Sequence, residues 1–592
     1  MCGITGISFR QARVHLPLLD KATRLLHHRG PNASNTYLSA DGKTGMGHTR
    51  LSFIDLSVSG NQPMSNAARN LTVTLNGELY NYIELRQELE KAGYIFHTQT
   101  DTEVLLHGYQ AWGQQLPVKL EGMFAFTLYD SVSKKLFLSR DRFGIKPLYY
   151  YHDTEKFIWG SEIKSILAFD DDLKKIRPAS VALFLANRYV PAPYTIWEGI
   201  KKLRPAHSLV VDLEDFTMAE VCYWKLVPGN VQMDADEASQ IFKNTLYASL
   251  EKHLRSDVPI GSFLSGGYDS SALVYLMQQE LKYPTQAFSI GFEGWDQTED
   301  RYAQMVADAV GASLHTSRPN GIQWAGVKKL MWHYDDPIAD ISIIPTYEVS
   351  KLAATQVKAT VSGEGADEIL GGYWWHQPDK FTYASRWKKF SSNWKSPAFK
   401  DIKQHYIQAM SMGLYDHIEL KKALTGIYQE HVPDDPFMHM DSFRMQDLST
   451  LKQLQYLDLN CFMPELILTK VDRASMAHSL EVRVPFLHYS LVEFMFSLSP
   501  AVYFTPGQQK PFLQKILKGK VPDEIIQRSK QGFVGPDVYY MDMEVYRAAL
   551  EKGRLIEEQV VSASYIKQLL KEKEHWKLWK LYILENWWQN WM

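Results

Sequence analysis

Cysteine is scarce in this sequence: 592 residues contain three, Cys2, Cys222 and Cys461. They are too few and too widely separated for a disulfide framework, which favours a reducing compartment. Long apolar runs are absent as well, since no stretch reaches the roughly 18 residues that a transmembrane helix needs. The N-terminus also lacks the basic and apolar segments of a secretory signal. We therefore expect a cytoplasmic protein with no membrane contact.

An excess of basic residues is also missing. The net charge is −3, with 64 Lys and Arg against 67 Asp and Glu. Nucleic-acid-binding domains usually carry a basic excess, so we expect no nucleic-acid partner. A chain of 592 residues is too long for a single hydrophobic core, so two or more domains are expected.

The first third of the chain has a β-rich pattern. Short runs of alternating apolar and polar residues are separated by Gly, Asn and Asp, as in layered sheets. The clearest predicted strands are 71–75, 124–129 and 135–139. Leucines at helical spacing predict a helix over residues 82–92.

The pattern changes near residue 234. A helical segment over 235–254 begins an alternation of helices with short apolar strands, which predicts a parallel α/β sheet with helices on both faces. The clearest predicted strands are 259–264, 286–290 and 358–362. From about residue 441 the chain is predicted to be mostly helical, and the join between the two parts is expected within 194–224.

The first chemical feature is Cys2, which follows the methionine in the string MCGI. Removal of the methionine would leave one residue that carries both a nucleophile and a base. The base is its own α-amine, with a pKa of roughly 8, which can take the thiol proton directly or through a water molecule. Taken alone, the string is also compatible with a cysteine that has no function.

The segments that follow contain groups suited to binding free glutamine. Arg50 could pair with the α-carboxylate in a bidentate fork. Glu78 and Asp101 could hold the α-ammonium group. The Asn76 side chain and the Gly77 backbone N–H could form an oxyanion hole for a tetrahedral intermediate. Each of these residues also has an ordinary structural interpretation, as part of a turn or of a surface ion pair.

Together with HRGP at 28–31 and SRDRFGIKPLY at 139–149, these residues resemble the N-terminal-nucleophile glutaminase domain of class II amidotransferases. The resemblance implies an αββα sandwich with Cys2 at the edge of its sheets. That family usually has Asp after HRGP, whereas this chain has Asn32. The change leaves the glutamine contacts untouched, so we expect a modest effect.

A second motif, SGGYDSS at 265–271, directly follows the predicted strand 259–264. A strand that runs into a glycine-rich turn and a helix directs backbone N–H groups at an anion. Asp269 has the wrong charge for a phosphate unless a cation lies between them, which suggests a Mg²⁺ ligand. The lysine of the P-loop is missing, and the motif instead resembles the pyrophosphate loop of enzymes that cleave ATP to AMP and pyrophosphate.

A third motif, SGEGADE at 362–368, follows the predicted strand 358–362. Its three acids lie within five residues and repel one another unless a metal or a substrate cation is present. Together with SGGYDSS and with EVRVPFL at 481–487, this motif resembles the glutamine-hydrolysing asparagine synthetase family. The order and spacing match along nearly the whole chain.

The resemblance implies a role for each matching residue. The expected contacts to ATP are Leu264, Ser265, Gly267, Asp269, Ser270, Ile290, Ser362 and Gly363. Asp269 and Asp367 would bind Mg²⁺, and Glu364 would be a catalytic carboxylate of the adenylation site. Lys510 would stabilise charge on the reacting phosphate, although its short motif is also compatible with an exposed loop lysine.

The resemblance also implies the architecture and the reaction. An N-terminal Ntn-hydrolase αββα sandwich over 1–205 would precede a PP-loop, adenine-nucleotide α-hydrolase-like parallel α/β domain with a helical C-terminal part over 206–592. Cys2 would release ammonia from glutamine, and ATP with Mg²⁺ would convert a carboxylic acid into an acyl-adenylate. Ammonia would reach that adenylate through an internal tunnel and displace AMP. A homodimer is the assembly that the family suggests.

The acceptor acid is left open by the sequence. Aspartate is the family default and would give asparagine, but related enzymes amidate sugar acids, peptides or natural-product precursors. Several positions depart from the asparagine synthetase pattern: Tyr268, GFEGWDQ at 291–297, LHTS at 314–317, YWWH at 373–376 and PFLH at 485–488. A third hypothesis, a regulatory protein without catalysis, is disfavoured by the intact set Cys2, Arg50, Asp101, Asp269 and Glu364.

Overall fold

The computed structural model describes residues 2–292, 298–319, 324–377, 399–445, 447–528, 532–533, 535 and 537–592. Residues 293–297 of the divergent segment after the third predicted strand therefore lie outside the described residues. Within the described ranges, no helix combines the length and the apolar character needed to cross a membrane.

The N-terminal part contains two six-stranded antiparallel sheets. In chain order its strands are β1 Gly3–Phe9, β2 Ala33–Leu38, β3 Thr44–Arg50, β4 Met64–Ser65, β5 Leu71–Leu79, β6 Gly122–Asp130, β7 Lys135–Arg140, β8 Tyr149–His152, β9 Lys156–Gly160, β10 Ile200–Lys202, β11 His207–Asp212 and β12 Met218–Cys222. The first sheet has the order β10-β8-β9-β1-β3-β2, and the second has the order β12-β11-β7-β6-β5-β4. The predicted strands 71–75, 124–129 and 135–139 lie within β5, β6 and β7.

Apolar side chains join the two sheets and attach helices to their outer faces. Ile4 and Trp159 of the first sheet share a buried cluster with Ala125 and Leu138 of the second sheet. The helices of this part are Leu16–Arg24, Tyr82–Lys91, Thr102–Trp112, Leu116–Lys119, Ile163–Leu167 and Pro178–Asn187. Leucines of Tyr82–Lys91 and Thr102–Trp112 pack on the second sheet, and Leu16–Arg24 packs on the first. The expected αββα sandwich is therefore confirmed.

The second sheet extends beyond residue 205, where the sequence led us to divide the domains. Strand β11 pairs with β7 from Ser208 to Asp212, and β12 pairs with β11 from Met218 to Cys222. Both strands lie inside the region expected to contain the join, 194–224. We propose that the domain division follows Cys222, because these backbone hydrogen bonds belong to the sandwich.

The second part is built on a five-stranded parallel sheet with the order β15-β14-β13-β16-β17. Its strands are β13 Ile260–Phe263, β14 Gln286–Ile290, β15 Ser313–Ser317, β16 Ala359–Val361 and β17 Glu481–Arg483. The three strands predicted from sequence are β13, β14 and β16. Strand β15 adds one edge, and β17 comes from the region predicted to be helical.

Helices surround this sheet and continue to the end of the chain. In the described ranges, those before β17 are Ala235–His253, Tyr268–Tyr275, the π-helical Leu276–Glu280, Glu299–Val310, Trp324–Leu330, Ile343–Ala353, Ala366–Leu370, Phe399–Met410, His417–Ala423, Gly426–Glu430, Thr450–Leu457, the π-helical Asp458–Ile467 and Leu468–Met476. Those after β17 are Tyr489–Ser497, Pro500–Tyr503, Pro511–Leu517, Asp523–Gln527, Met543–Leu550, Arg554–Glu557, Ala563–Glu572 and His575–Trp591. Among the described residues, helices therefore precede residue 441, and one of them is Phe399–Met410.

The aromatic C-terminal helix His575–Trp591 is buried against the N-terminal part. Trp587 lies 5.3 Å from Trp197, measured between ring centroids. The ammonium group of Lys580 donates to the Leu185 carbonyl at 2.8 Å and to the Gly413 carbonyl at 2.7 Å. The end of the chain therefore joins the two domains through one continuous core.

Candidate active sites

Cys2 lies directly before β1 and is 7% exposed. Its backbone N–H donates to Asn76 Oδ1 at 3.2 Å, and its carbonyl accepts from Arg29 Nε at 3.0 Å. Burial raises the pKa of the Cys2 thiol above its ordinary value. The group is therefore protonated at neutral pH and needs a base before it can attack a carbon atom.

The Asn76-Gly77 pair lies in β5 next to Cys2, and the Asn76 side-chain oxygen accepts the Cys2 N–H. Asn76 is fully buried, and its Nδ2 donates to no partner among the described residues. Gly77 has φ +148°, and a Cβ at this position would lie 2.0 Å from the Met123 carbonyl oxygen, so the backbone admits only glycine. A buried amide donor beside a cysteine is the arrangement that an oxyanion hole requires.

Arg50 is at the end of β3, but its guanidinium is occupied by the chain itself. Its Nη1 donates to the Ser57 carbonyl at 2.7 Å and to Asn61 Oδ1 at 3.0 Å. Its Nη2 donates to the carbonyls of Ile54 and Asp55 at 3.2 and 2.5 Å. Arg50 therefore fixes the loop that follows β3, and the carboxylate of glutamine would share the guanidinium with these carbonyls.

The two acids expected to bind the ammonium group are both buried. Asp101 Oδ2 accepts from the Leu79 N–H at 2.9 Å, which attaches this loop to β5. Burial raises the pKa of Asp101, and burial with the charges of Glu481 and Asp101 raises the pKa of Glu78 well above its ordinary value. A positive group placed between these acids would stabilise their ionised forms.

Residues of the second domain also border the glutamine site, and sequence reasoning gave them no role. Arg483 Nη2 lies 3.6 Å from Glu78 Oε2, and Arg483 Nε donates to Glu481 Oε1 at 2.6 Å. The string EVRVPFL marked this segment as typical of the family, but nothing in it indicates contact with residue 78. Arg29 in turn donates to both carboxylate oxygens of Asp472, at 2.8 and 3.0 Å.

The SGGYDSS motif forms a turn between β13 and the helix Tyr268–Tyr275. Ser265 and Ser270 are linked through their hydroxyls at 3.2 Å, and the Gly267 N–H donates to Ser265 Oγ at 3.4 Å. Gly266 has φ +74°, and a Cβ there would lie 2.4 Å from the Tyr302 Cβ. The turn places small polar groups at the N-terminal end of a helix, where an anion is stabilised.

Tyr268, one of the departures from the family pattern, has a structural role. Its hydroxyl donates to the Ile526 carbonyl at 2.6 Å and accepts from Gln514 Nε2 at 3.1 Å. The side chain therefore ties the turn to helices of the C-terminal part.

The strand ends place the other expected nucleotide contacts around this turn. The Leu264 N–H donates to the Phe288 carbonyl at 2.9 Å, and Ile290 ends the neighbouring strand β14. Ser362 follows β16, and its N–H donates to the Arg483 carbonyl at 2.8 Å. A Cβ on Gly363 would lie 2.8 Å from the Asp269 Cβ, so the second and third motifs are in direct contact.

Asp269 and Asp367, the two expected metal ligands, converge on Lys510. Lys510 Nζ lies 2.5 and 2.6 Å from the carboxylate oxygens of Asp269 and 2.6 Å from Asp367 Oδ1. Lys510 is 4% exposed. Burial opposes its charge, but Asp269 and Asp367 together raise its pKa. The sequence was also compatible with Lys510 as an exposed lysine in a loop, and its burial excludes that interpretation.

This pair of carboxylates fits a divalent cation that is shared with a nucleotide. Both residues are partly exposed, at 24% and 20% for their side chains. Within the described residues, no group of three or more His, Cys, Asp or Glu side chains could hold a metal ion. Mg²⁺ commonly binds through one or two carboxylates, with phosphate oxygens and water completing its shell. Glu364 is half-buried nearby in the third motif, and its Oε2 accepts no hydrogen bond from the described residues.

Comparison with protein families assigns both parts of the chain. Residues 1–224 match the glutamine amidotransferase domain family, and residues 242–589 match the asparagine synthase family. Asparagine synthetase [glutamine-hydrolyzing] 1 of Bacillus subtilis (strain 168) is 31% identical, over 99% of this chain and 96% of its own length. Asparagine synthetase [glutamine-hydrolyzing] 3 of the same organism is 31% identical over 90% of this chain and 87% of its own length.

A relative with a different name is also similar along most of the chain. Amidase chry2 of Gibberella zeae is 27% identical over 91% of this chain and 90% of its own length. With both family matches in the expected order, and with 31% identity over nearly its whole length, this chain belongs to the glutamine-hydrolysing asparagine synthetase family.

Proposed function

We propose that this enzyme transfers the amide nitrogen of glutamine to aspartate, forming asparagine and glutamate while ATP is converted to AMP and pyrophosphate. One observation carries the proposal. A single chain holds a buried cysteine beside an orphan amide donor, and it also holds two carboxylates that meet at a lysine beside the SGGYDSS turn. The first arrangement suits release of ammonia from an amide, and the second suits activation of an acid by ATP.

In the glutaminase half, Cys2 is the nucleophile. After removal of the methionine, the α-amine of Cys2 takes the thiol proton, and Sγ attacks the side-chain amide carbon of glutamine. Asn76 Nδ2 and the Gly77 N–H stabilise the oxyanion. As this intermediate collapses, the protonated α-amine of Cys2 returns its proton to the amide nitrogen, the C–N bond breaks and ammonia leaves. Water then cleaves the thioester, which yields glutamate and restores the thiol.

In the synthetase half, an oxygen of the acceptor carboxylate attacks the α-phosphorus of ATP, and the bond to the β-phosphate breaks. Ser265, Gly267 and Ser270 bind the departing pyrophosphate, and Lys510 offsets the negative charge that develops on the phosphate. Bound Mg²⁺, held by Asp269 and Asp367, would neutralise the phosphate charge. Ammonia then attacks the acyl carbon of the adenylate, Glu364 accepts a proton from the attacking nitrogen, and AMP leaves.

Aspartate is proposed as the acceptor because the relatives named as asparagine synthetases match the chain nearly end to end. A larger acid is the second candidate, and a cluster of aromatic residues after the third motif favours it. Tyr373 stacks on Trp375 with ring centroids 4.0 Å apart, and its hydroxyl donates to Glu368 at 2.7 Å. Trp374 beside them is 54% exposed. Aspartate is small, and its two carboxylates and its ammonium group would gain little from an aromatic surface, whereas a larger acid with an apolar part could pack on it.

The test is a pyrophosphate-release assay over a panel of acids, with mass detection of the amide that forms. We expect glutamine- and ATP-dependent release with aspartate, together with asparagine. Release with a larger acid and none with aspartate would establish the second candidate instead. The Cys2→Ala variant should lose glutamine-dependent synthesis and keep ammonia-dependent synthesis, whereas Cys222→Ala, a half-buried cysteine outside the site, should keep both.

A further inference from the structure

Glu78, the acid expected to bind the ammonium group of glutamine, has a cationic neighbour in the other domain. Arg483 lies in β17 of the synthetase domain, and its Nη2 is 3.6 Å from Glu78 Oε2. Arg483 is fully buried, and Glu78 is 7% exposed. The guanidinium also lies over the rings of Phe53 and Tyr80, 5.3 and 5.8 Å from their centroids. The glutaminase site is therefore closed on one side by the synthetase domain.

Arg483 is held back from Glu78 by its other contacts. Its Nε donates to Glu481 Oε1 at 2.6 Å, and its Nη1 donates to the carbonyls of His253 and Arg255 at 2.6 and 2.9 Å. The 3.6 Å separation from Glu78 is longer than a hydrogen bond. Glu78 Oε2 is buried and accepts no hydrogen bond within the described part of the chain, so this oxygen is available to a donor of the substrate.

The charges around Glu78 explain why it needs such a neighbour. Burial raises the pKa of Glu78, the carboxylates of Glu481 and Asp101 raise it further, and Arg483 and the N-terminal amine lower it. Burial also raises the pKa of Glu481, but the N-terminal amine, Arg483 and Lys146 outweigh burial and lower this pKa to about 2. Glu481 is thus the ionised partner that fixes Arg483, and Arg483 favours the ionised form of Glu78.

We propose that Arg483 and Glu481 are positioning residues of the glutaminase site, supplied by the synthetase domain: Arg483 is the cationic neighbour of Glu78, and Glu481 holds Arg483 back so that Glu78 stays open for the α-ammonium group of glutamine. The inference rests on the glutaminase half of the proposed function. The same strand also reaches the nucleotide site, because the Arg483 carbonyl accepts the Ser362 N–H at 2.8 Å. Side-chain substitutions in β17 leave that backbone hydrogen bond available, so the two roles can be tested separately.

The test compares glutamine with glutaramic acid, which is glutamine without its α-amino group, in a glutamate- or glutarate-release assay on the full chain. The wild type should prefer glutamine. In Glu481→Gln and Arg483→Met, the ratio of the two kcat/KM values should fall by about tenfold to a hundredfold, the worth of one charge-assisted hydrogen bond. The loss should lie in KM for glutamine, with kcat changed little, and Arg483→Lys should recover part of it.

Ammonia-dependent pyrophosphate release reports whether each variant is folded, and it should match the wild type. Glu493→Gln is the matched control, since this acid of the synthetase domain accepts from Trp224 Nε1 at 2.7 Å and is not one of the main charges that shift the pKa of Cys2 or Glu78. If Arg483→Met loses ammonia-dependent synthesis and is therefore misfolded, the nearly isosteric Glu481→Gln variant provides the test of the inference. An unchanged preference for glutamine in a folded Glu481→Gln would overturn the inference alone, whereas absence of glutamine hydrolysis in the wild type would overturn the proposed function.

Discussion

Lys510 joins two carboxylates that come from different motifs. It has a left-handed backbone conformation, φ +40°, at the residue directly before the helix Pro511–Leu517. The carboxylates of Asp269 and Asp367 both lie within 2.6 Å of its ammonium group. Two acids this close would repel each other if the lysine were removed, so the ammonium group organises the site before any nucleotide arrives.

We expect Lys510→Met to lower kcat for pyrophosphate formation by about 10²–10³-fold, the usual cost of removing one group that stabilises transition-state charge. Glutamine hydrolysis measured without ATP should stay at the wild-type rate, because Cys2 lies in the other domain. Lys515→Met is the control, since Lys515 is an exposed lysine five positions along the chain, paired with Asp236. A synthetase rate within a few-fold of the wild type in Lys510→Met would exclude the proposed role.

Among the structural elements, the strands with a strong local pattern were predicted and the weakly patterned ones were not. Residues 259–264 were predicted as a strand, and β13 runs from Ile260 to Phe263. Strand β17 has only three residues and follows the long helix Leu468–Met476, so no local periodicity could separate it from its helical surroundings. It becomes a strand because β16 offers it a parallel partner, and that partner lies more than a hundred positions earlier in the chain.

The candidate site residues show the same difference between those with a recognisable local motif and those whose role depends on packing. Cys2, Asp269 and Glu364 stand in motifs whose residue types already indicate chemistry, whereas Arg483 is one arginine among many in the sequence. Its importance comes from the packing of one domain on the other, which brings residues 78 and 483 together. Sequence resemblance marked the neighbourhood of Arg483 without indicating which group it faces.

The turn after β13 offers a test at the scale of an element. In Gly266→Ala the new Cβ would meet Tyr302 at 2.4 Å, and the residue keeps φ +74°. Gly311→Ala has nearly the same backbone, φ +72°, with open space around its Cβ. Left-handed backbone costs about 1–2 kcal/mol in both variants, and the collision should add about 1–3 kcal/mol in Gly266→Ala.

Calorimetry should therefore show a lower thermal midpoint for Gly266→Ala than for Gly311→Ala. Only Gly266→Ala should also raise KM for ATP, because the collision displaces the N–H groups that we propose bind phosphate. Equal midpoints and equal KM values for the two variants would mean that the turn accommodates a side chain and does not require its observed geometry.

At the scale of the whole molecule, the two domains meet through a buried network of charges. Arg29 of the sandwich forms a fork with Asp472 and also donates to Glu162 at 2.8 Å. Arg473, beside Asp472 in the synthetase domain, lies 2.7 Å from the same Glu162 and 3.2 Å from Asp335. Arginine suits this position because its planar fork can satisfy several carboxylates at once. Residues 29 and 472 are 443 positions apart, so no sequence pattern predicts that they pair.

This network holds Cys2, the proposed nucleophile, as well as the interface, because Arg29 Nε donates to the Cys2 carbonyl at 3.0 Å. Asp472→Asn removes a buried charge from Arg29 and should lower the free energy of unfolding by about 3 kcal/mol, near the lower limit for a broken buried pair, since Glu162 remains. Glu524→Gln, which weakens the exposed pair of Arg301 and Glu524, should cost less than about 1 kcal/mol. Denaturant unfolding would measure both losses.

A looser interface should also change the yield of the reaction. Ammonia that escapes to water is mostly protonated at neutral pH and no longer reacts, so Asp472→Asn should release more glutamate per AMP than the wild type. Glu524→Gln should keep the wild-type ratio. Asp472→Asn could instead lose stability as expected and keep the wild-type ratio of glutamate to AMP. The network would then hold the domains together without controlling how ammonia passes between them.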